Sequence, residues 1–175
     1  MGRMPLPVLR TPRLVLVPFA PEDLDALHAL WTDEHVRRYL WDDIVISRER
    51  AAETLDGALA SAADGPVGHW SVRQTVDGPI IGDCGFRYVG EEVELMYCLL
   101  RPFWGQGLAL EGCRAALEYL WRVMELPGII ARADIPNTTS IRLMERLGMR
   151  YESEDGVLVK YVLGRPALQP RDTAL

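Results

Sequence analysis

"RPFWGQGLALEG", residues 101–112, stands between an apolar strand-like run and the longest helix-like run of the chain. Two glycines around a glutamine at a helix start need a reason, because an ordinary Ser or Asp would cap the helix and glycine costs conformational entropy. The usual reason is that something must come close to the backbone. The stretch is not a P-loop, since no Gly-Lys-Ser or Gly-Lys-Thr follows Gly105 or Gly107. A dinucleotide fingerprint would want a third glycine where Leu110 stands, although Asp134, at the end of the next strand, imitates the ribose-binding acid. The reading that asks least of the side chains is a pyrophosphate held by the bare backbone N–H groups of residues 104–109, aided by the helix dipole.

Outward from this stretch the pattern is mixed. Before it, "HWSVRQTVDGPIIGDCGFRYVGEEVELMYCLLRP" predicts three strands of an antiparallel meander, broken at "DGP" and "VGEE". After it, Ala109, Cys113, Ala116, Leu117, Leu120 and Met124 share one face of a helix over 107–124. "LPGIIARADI" reads as a short buried strand, and "NTTSIRLMERLGM" as a helix that Asn137 caps and Gly148 ends. A hairpin around Gly156 follows. At the N-terminus, "TPRLVLVPF" alternates as a strand and leads into two helices, "PEDLDALHALW" and a second that Ser47 caps without a capping box, because Arg50 stands where the acid should be. The order β-α-α-β-β-β-α-β-α-β-β predicts an α+β (mixed α/β) fold and fits neither a barrel nor a doubly wound sheet.

The 175 residues, 49% hydrophobic and 25% charged, suit one domain over 1–175, with a core over about 9–163 and a loose tail over 164–175. A net charge of −6 with scattered arginines argues against a nucleic-acid footprint. Cys84, Cys98 and Cys113 form no C-x-x-C pair and read as core thiols of a reducing compartment. No run approaches the ~20 apolar residues that span a bilayer, so no membrane contact and a cytoplasmic location are expected. His28, His35 and His69 lack metal-ligand spacing, and no metal is expected.

"FWGQGLALE" resembles the [YF]-W-G-x-G-x-A-x-E run of the RimJ/RimL-like branch of the GNAT acetyltransferases. "NTTSIRLMERLGM" resembles that branch's N-x-x-S-x-R-x-x-E-x-x-G-[FM] run, and "LRTPRLVL" its first strand, L-x-T-x-R-L-x-L. The three matches stand in the family's order and carry the resemblance over most of residues 9–163. It implies the GNAT acyl-CoA N-acyltransferase fold, a central mixed, mostly antiparallel sheet flanked by helices. It also implies an N-acetyltransferase that uses acetyl-CoA as cosubstrate and a primary amine, a protein N-terminus or a small molecule, as acceptor. Family members are often dimers, so a homodimer is one implied assembly. The competing readings are a non-catalytic acyl-CoA-binding domain and, with less support, a nicotinamide dinucleotide enzyme.

By the resemblance, Gly105, Gln106, Gly107, Leu108 and Ala109 hold the pyrophosphate through backbone N–H groups, and Cys98, Leu99 and Leu100 lie beside the pantetheine arm. Pro102 stands where the wider family often has Arg or Gln. Cys98 is read as a small apolar residue rather than a nucleophile, since no His pairs with it. Alternation puts Glu94 on one face with Met96 and Cys98, where it is the base that deprotonates the amine, a solvated residue near the strand's start, or a partner for an Arg. Asn137 is implied to touch the CoA arm, or caps its helix, or both. Met144 occupies the family's Tyr position, which leaves Ser140 or water to protonate the thiolate. Trp41, Asp42 and Asp43, with Trp70 and Tyr88 placed nearby by analogy, are the expected acceptor-side residues.

Overall fold

The alternating run after Thr11 buries Leu14 and Leu16. In the computed structural model, which describes residues 5–166, it becomes β2 (Val15–Pro18), antiparallel to a two-residue β1 (Leu9–Arg10). Pro21, with its φ already helical, starts a 3₁₀ turn that runs into α1 (Leu24–Thr32). Where the sequence predicts two helices there are three, because the first ends before Asp33 and the stretch left between the predicted helices forms α2 (Glu34–Leu40). The cause is local: Asp33 leaves helical geometry and its carboxylate accepts the N–H groups of His35 at 3.0 Å and Val36 at 3.2 Å. Ser47 caps α3 (Arg48–Asp64) by accepting the Arg50 N–H.

The predicted meander is β3 (His69–Arg73), β4 (Gly82–Val89) and β5 (Glu92–Leu99), each antiparallel to its neighbour. Then come α4 (Leu108–Val123), β6 (Gly128–Asp134), α5 (Thr138–Arg146) and the hairpin β7 (Arg150–Asp155) and β8 (Leu158–Gly164). The described strands form one eight-stranded sheet in the order β1-β2-β3-β4-β5-β6-β8-β7. Its parallel pair, β5 with β6, meets at a single register position, Glu94 opposite Ile130, and beyond it the two strands part.

Period-2 alternation gives the sheet two unlike faces. One carries Cys84, Phe86, Val93, Leu95 and Leu99 onto Cys113, Ala116, Leu117 and Leu120 of α4. The other, under α1 to α3, carries His69, Ser71, Asp83, Arg87, Glu94 and Cys98, paired across the strands. The helices above that polar face keep their own apolar cluster, including Leu27, Leu30, Trp31 and Leu55. Trp70 and Tyr88 do not join the acceptor side, because their parity puts them with Cys84 and Phe86. Trp70 is fully buried there, donates to Pro7 O at 2.8 Å and meets Phe86 and Tyr119 edge-on, while Tyr88 is exposed.

At the start of the stretch over 164–175, Arg165 donates its backbone N–H to Pro127 O and its guanidinium to Met124 O and Trp121 O. Residues 167–175 lie outside the described residues.

Candidate active site

Where β5 and β6 part, a cavity of about 1060 Å³ opens and runs from the α4 N-terminus to the space beneath α1 to α3. The β5 backbone facing it follows from the ladder. Leu100 N–H bonds Ile81 O, so the alternation of an antiparallel pair turns Cys98 toward β4 as well and turns the amides of Tyr97 and Leu99 toward the gap. The Leu99 carbonyl is already taken, by the Trp104 indole N–H at 2.6 Å. Of the three expected residues, Leu99 therefore offers an amide to the gap, whereas Leu100 and Cys98 present theirs to the sheet. Tyr97, which the sequence did not single out, offers a second.

At the other wall Gly105 and Gly107 have φ of 73° and 76°, the left-handed region that penalises a side chain. Gly107 is the N-cap of α4 and no side chain caps the helix, so the first-turn N–H groups of Leu108, Ala109 and Leu110 have no side-chain acceptor. Gly105, Gly107, Leu108 and Ala109 line the cavity; Gln106 does not, its amide turning back to Pro102 O at 2.9 Å. The turn is braced from the loop that joins β1 to β2. Arg13 donates to Gln106 O at 2.8 Å and pairs with Glu111 at 2.7 Å, and Thr11 donates to the same carboxylate at 2.6 Å. The Thr and Arg of one motif and the Glu of another thus meet in space.

Glu94 lines the cavity but is 2% exposed and clamped, accepting Arg87 Nε at 2.7 Å and Arg132 Nε and Nη2 at 2.7 and 3.2 Å. Burial alone would raise its pKa; the hydrogen bonds from Arg132 and the charge of Arg87 outweigh that and hold the carboxyl below its ordinary value. Glu94 is therefore buried rather than solvated and is paired with two arginines.

Ser140 and Asn137 lie together at the start of α5, where Asn137 Oδ1 accepts the Ser140 N–H at 3.2 Å. The Ser140 hydroxyl lies 2.7 Å from the Tyr97 hydroxyl, which β5 delivers across the gap. Burial first, and the neighbouring thiols, raise the Tyr97 pKa far above the neutral range, so the phenol keeps its proton. Met144, at the family's Tyr position, is buried in the core. The only sequence signal for Tyr97 was a phenol in an apolar strand, and its parity pointed away from Glu94.

The acceptor-side end is walled by Phe19, Trp31, Leu40 and Trp41, with His69 and Asp83 beneath. His69 stacks on Phe19 with centroids 5.5 Å apart. It lies there because position 85 is glycine: a Cβ would come within 2.5 Å of Gly68 O and 2.8 Å of His69 Cγ. Trp31 Nε1 donates to Asp83 Oδ2 at 2.7 Å. Burial raises the Asp83 pKa, which His69 and the Trp31 bond only partly offset; burial and the Asp83 charge push the Cys98 thiol far up, which removes it as a nucleophile. Trp41 lines the cavity, and its indole N–H is buried without a partner among the described residues. Asp42 and Asp43 are exposed on the adjoining turn outside the cavity lining, and Asp43 pairs with Arg37 at 3.1 Å. No described helix is long and apolar enough to cross a membrane.

Residues 13–150 match a family described as the acetyltransferase (GNAT) domain. An uncharacterized N-acetyltransferase of Bacillus licheniformis is 30% identical over 151 residues, 82% of this chain and 83% of that protein. An acetyltransferase structure from Agrobacterium tumefaciens superposes with a TM-score of 0.80 at 21% identity, covering 93% of this chain and 97% of the other. RimL, a ribosomal-protein alpha-N-acetyltransferase solved with coenzyme A, superposes with a TM-score of 0.76 at 17% identity, covering 92% and 98%.

Proposed function

This chain belongs to the GNAT acetyltransferase family, and from that premise we propose that it moves an acetyl group from acetyl-CoA to a primary amine by direct transfer. The observation that carries the reading is the uncapped start of α4 at two left-handed glycines, opening onto the same cavity as the unpaired edge of β5. Bare N–H groups and a helix dipole suit a pyrophosphate. The edge of β5 suits an extended pantetheine arm.

In this reading Gly105, Gly107, Leu108 and Ala109 hold the phosphates through backbone N–H groups. Gln106, outside the cavity lining, shapes the turn, its carbonyl engaged by Arg13 and its side chain by Pro102. The amides of Tyr97 and Leu99 stabilise the charge that develops on the thioester oxygen. The Tyr97–Ser140 hydroxyl pair supplies the proton for the leaving thiolate, a role Met144 lacks the chemistry to fill. Asn137 orders the first turn of α5 and keeps its amide N–H₂ for the arm. Glu94, with its proton affinity lowered, anchors Arg87 and Arg132 where β5 meets β6.

Calorimetry with acetyl-CoA tests the donor: wild type is expected to bind, and Gly107→Trp, which fills the approach to the α4 start, to lose binding while keeping its circular dichroism spectrum. Absence of heat with both acetyl-CoA and CoA would overturn the reading. Thiol release with a broad amine panel, with mass spectrometry of the product, then separates transfer from simple acyl-CoA binding.

A further inference from the structure

We infer that Asp83 is the anionic floor of an acceptor pocket built for a small primary ammonium compound with an apolar body, and that its carboxylate takes the first proton from that amine. The inference rests on the acetyl-transfer reading for the position of the donor, but its evidence lies on the opposite side of the cavity.

Three acidic side chains are buried in the described fold: Asp23, Asp83 and Glu94. Asp23 pairs with Arg73 at 2.7 Å, and Glu94 with Arg87 and Arg132. Asp83, 6% exposed, has no Arg or Lys partner among the described residues; the neutral Trp31 indole donates to it, the Cys98 thiol lies opposite it, and the nearby His69 offsets its burial only in part. A buried carboxylate whose one basic neighbour is an imidazole of lowered pKa is poorly compensated, and the missing cation is a property a ligand can supply. The walls above it, Phe19, Trp31, Leu40 and Trp41, offer apolar and aromatic surface to the remainder of such a ligand. Arg38 and Arg87 also line the cavity, which disfavours a polycation and favours a single ammonium.

Position relative to the donor follows from the register. Asp83 lies opposite Cys98, next to Leu99, whose amide faces the gap. An ammonium bound to Asp83 is thus one residue from the donor proposed to hold the thioester oxygen. One proton passes from the ammonium to the Asp83 carboxylate, and the freed nitrogen lone pair forms the N–C bond as the C–S bond breaks. The nitrogen then carries two protons: one stays as the amide N–H, the other leaves as the tetrahedral intermediate collapses and replaces the proton that Tyr97–Ser140 delivers to the thiolate, and the Asp83 proton returns to solvent. Removal from water keeps the nearby His69 imidazole neutral near neutral pH, despite the opposing charge of Asp83.

The test is calorimetric titration of CoA-saturated protein with 2-phenylethylamine, hexylamine and the neutral 2-phenylethanol. Wild type is expected to prefer the amines over the alcohol by about tenfold or more, and Asp83→Asn to lose that preference while its acetyl-CoA affinity stays within about twofold. Equal binding of amine and alcohol, a preference that survives Asp83→Asn, or failure of both amines to bind CoA-saturated protein overturns the inference. If Asp83→Asn fails to fold, the amine-against-alcohol comparison on wild type decides alone. Loss of acetyl-CoA binding by wild type would count against the donor reading instead, and the same titration without CoA would still report on Asp83.

Discussion

Asp83 and Glu94 are both buried carboxylates on the same face of the sheet, and they bear on stability with opposite signs. Asp83 has its pKa raised from 3.8. Its contribution to stability is fully present below the unfolded value and is lost as pH rises through the folded one, so ionisation of the buried group opposes folding. Asp83→Asn, which keeps an oxygen for the Trp31 N–H, is therefore expected to raise Tm at pH 7, and a scanning melt checks it. A residue that costs stability while lining a cavity is what a ligand-binding role predicts. Glu94 has its pKa lowered from 4.5, so its contribution is present above the unfolded value and is lost as pH falls through the folded one. Glu94→Gln should lose about 1–3 kcal/mol at neutral pH, toward the low end because Arg87 is half exposed. Urea melts should show the deficit shrinking as pH falls below the carboxylate range.

At the scale of elements, the start of α4 depends on the turn between β1 and β2, 93 residues earlier in the chain, through the Arg13 bond to Gln106 O. Glu111 fixes Arg13 and Thr11 together, so its loss frees the brace without touching the glycines. Glu111→Gln is expected to weaken acetyl-CoA binding several-fold with little change in secondary structure, measured by calorimetry beside circular dichroism. Helix α5 offers a simpler case. Asn137→Ala removes the acceptor for Ser140 N–H and should cost about 1 kcal/mol in a denaturant melt. The cap was legible because the Asn side chain serves an amide three residues away, a distance that sequence spacing fixes. The break between α1 and α2 was not, because Asp33 reads equally well as a helical residue and as a cap until the backbone chooses.

Across the whole molecule, the sheet separates a packed apolar face from a polar one, and the parting of β5 from β6 opens the cavity between them. A ligand that fills this cavity binds the folded state alone, so saturating acetyl-CoA at 100 times its Kd should stabilise the protein by about 2.7 kcal/mol, read as a rise in Tm. Gly107→Trp should abolish that rise. What the sequence determined by itself is whatever lies within a few residues along the chain: the strand meander, the left-handed glycines, the Asn137 cap, and the motif runs that mark the family. Which side chains confront one another across strands was decided by the tertiary structure. Register and parity set Asp83 beside Cys98, turned Trp70 into the core, brought Tyr97 onto Ser140 and closed Arg87 and Arg132 on Glu94. The physical reason is that the electrostatics of a buried group depends on partners distant in sequence, and burial strengthens every charge interaction that local pattern leaves unspecified.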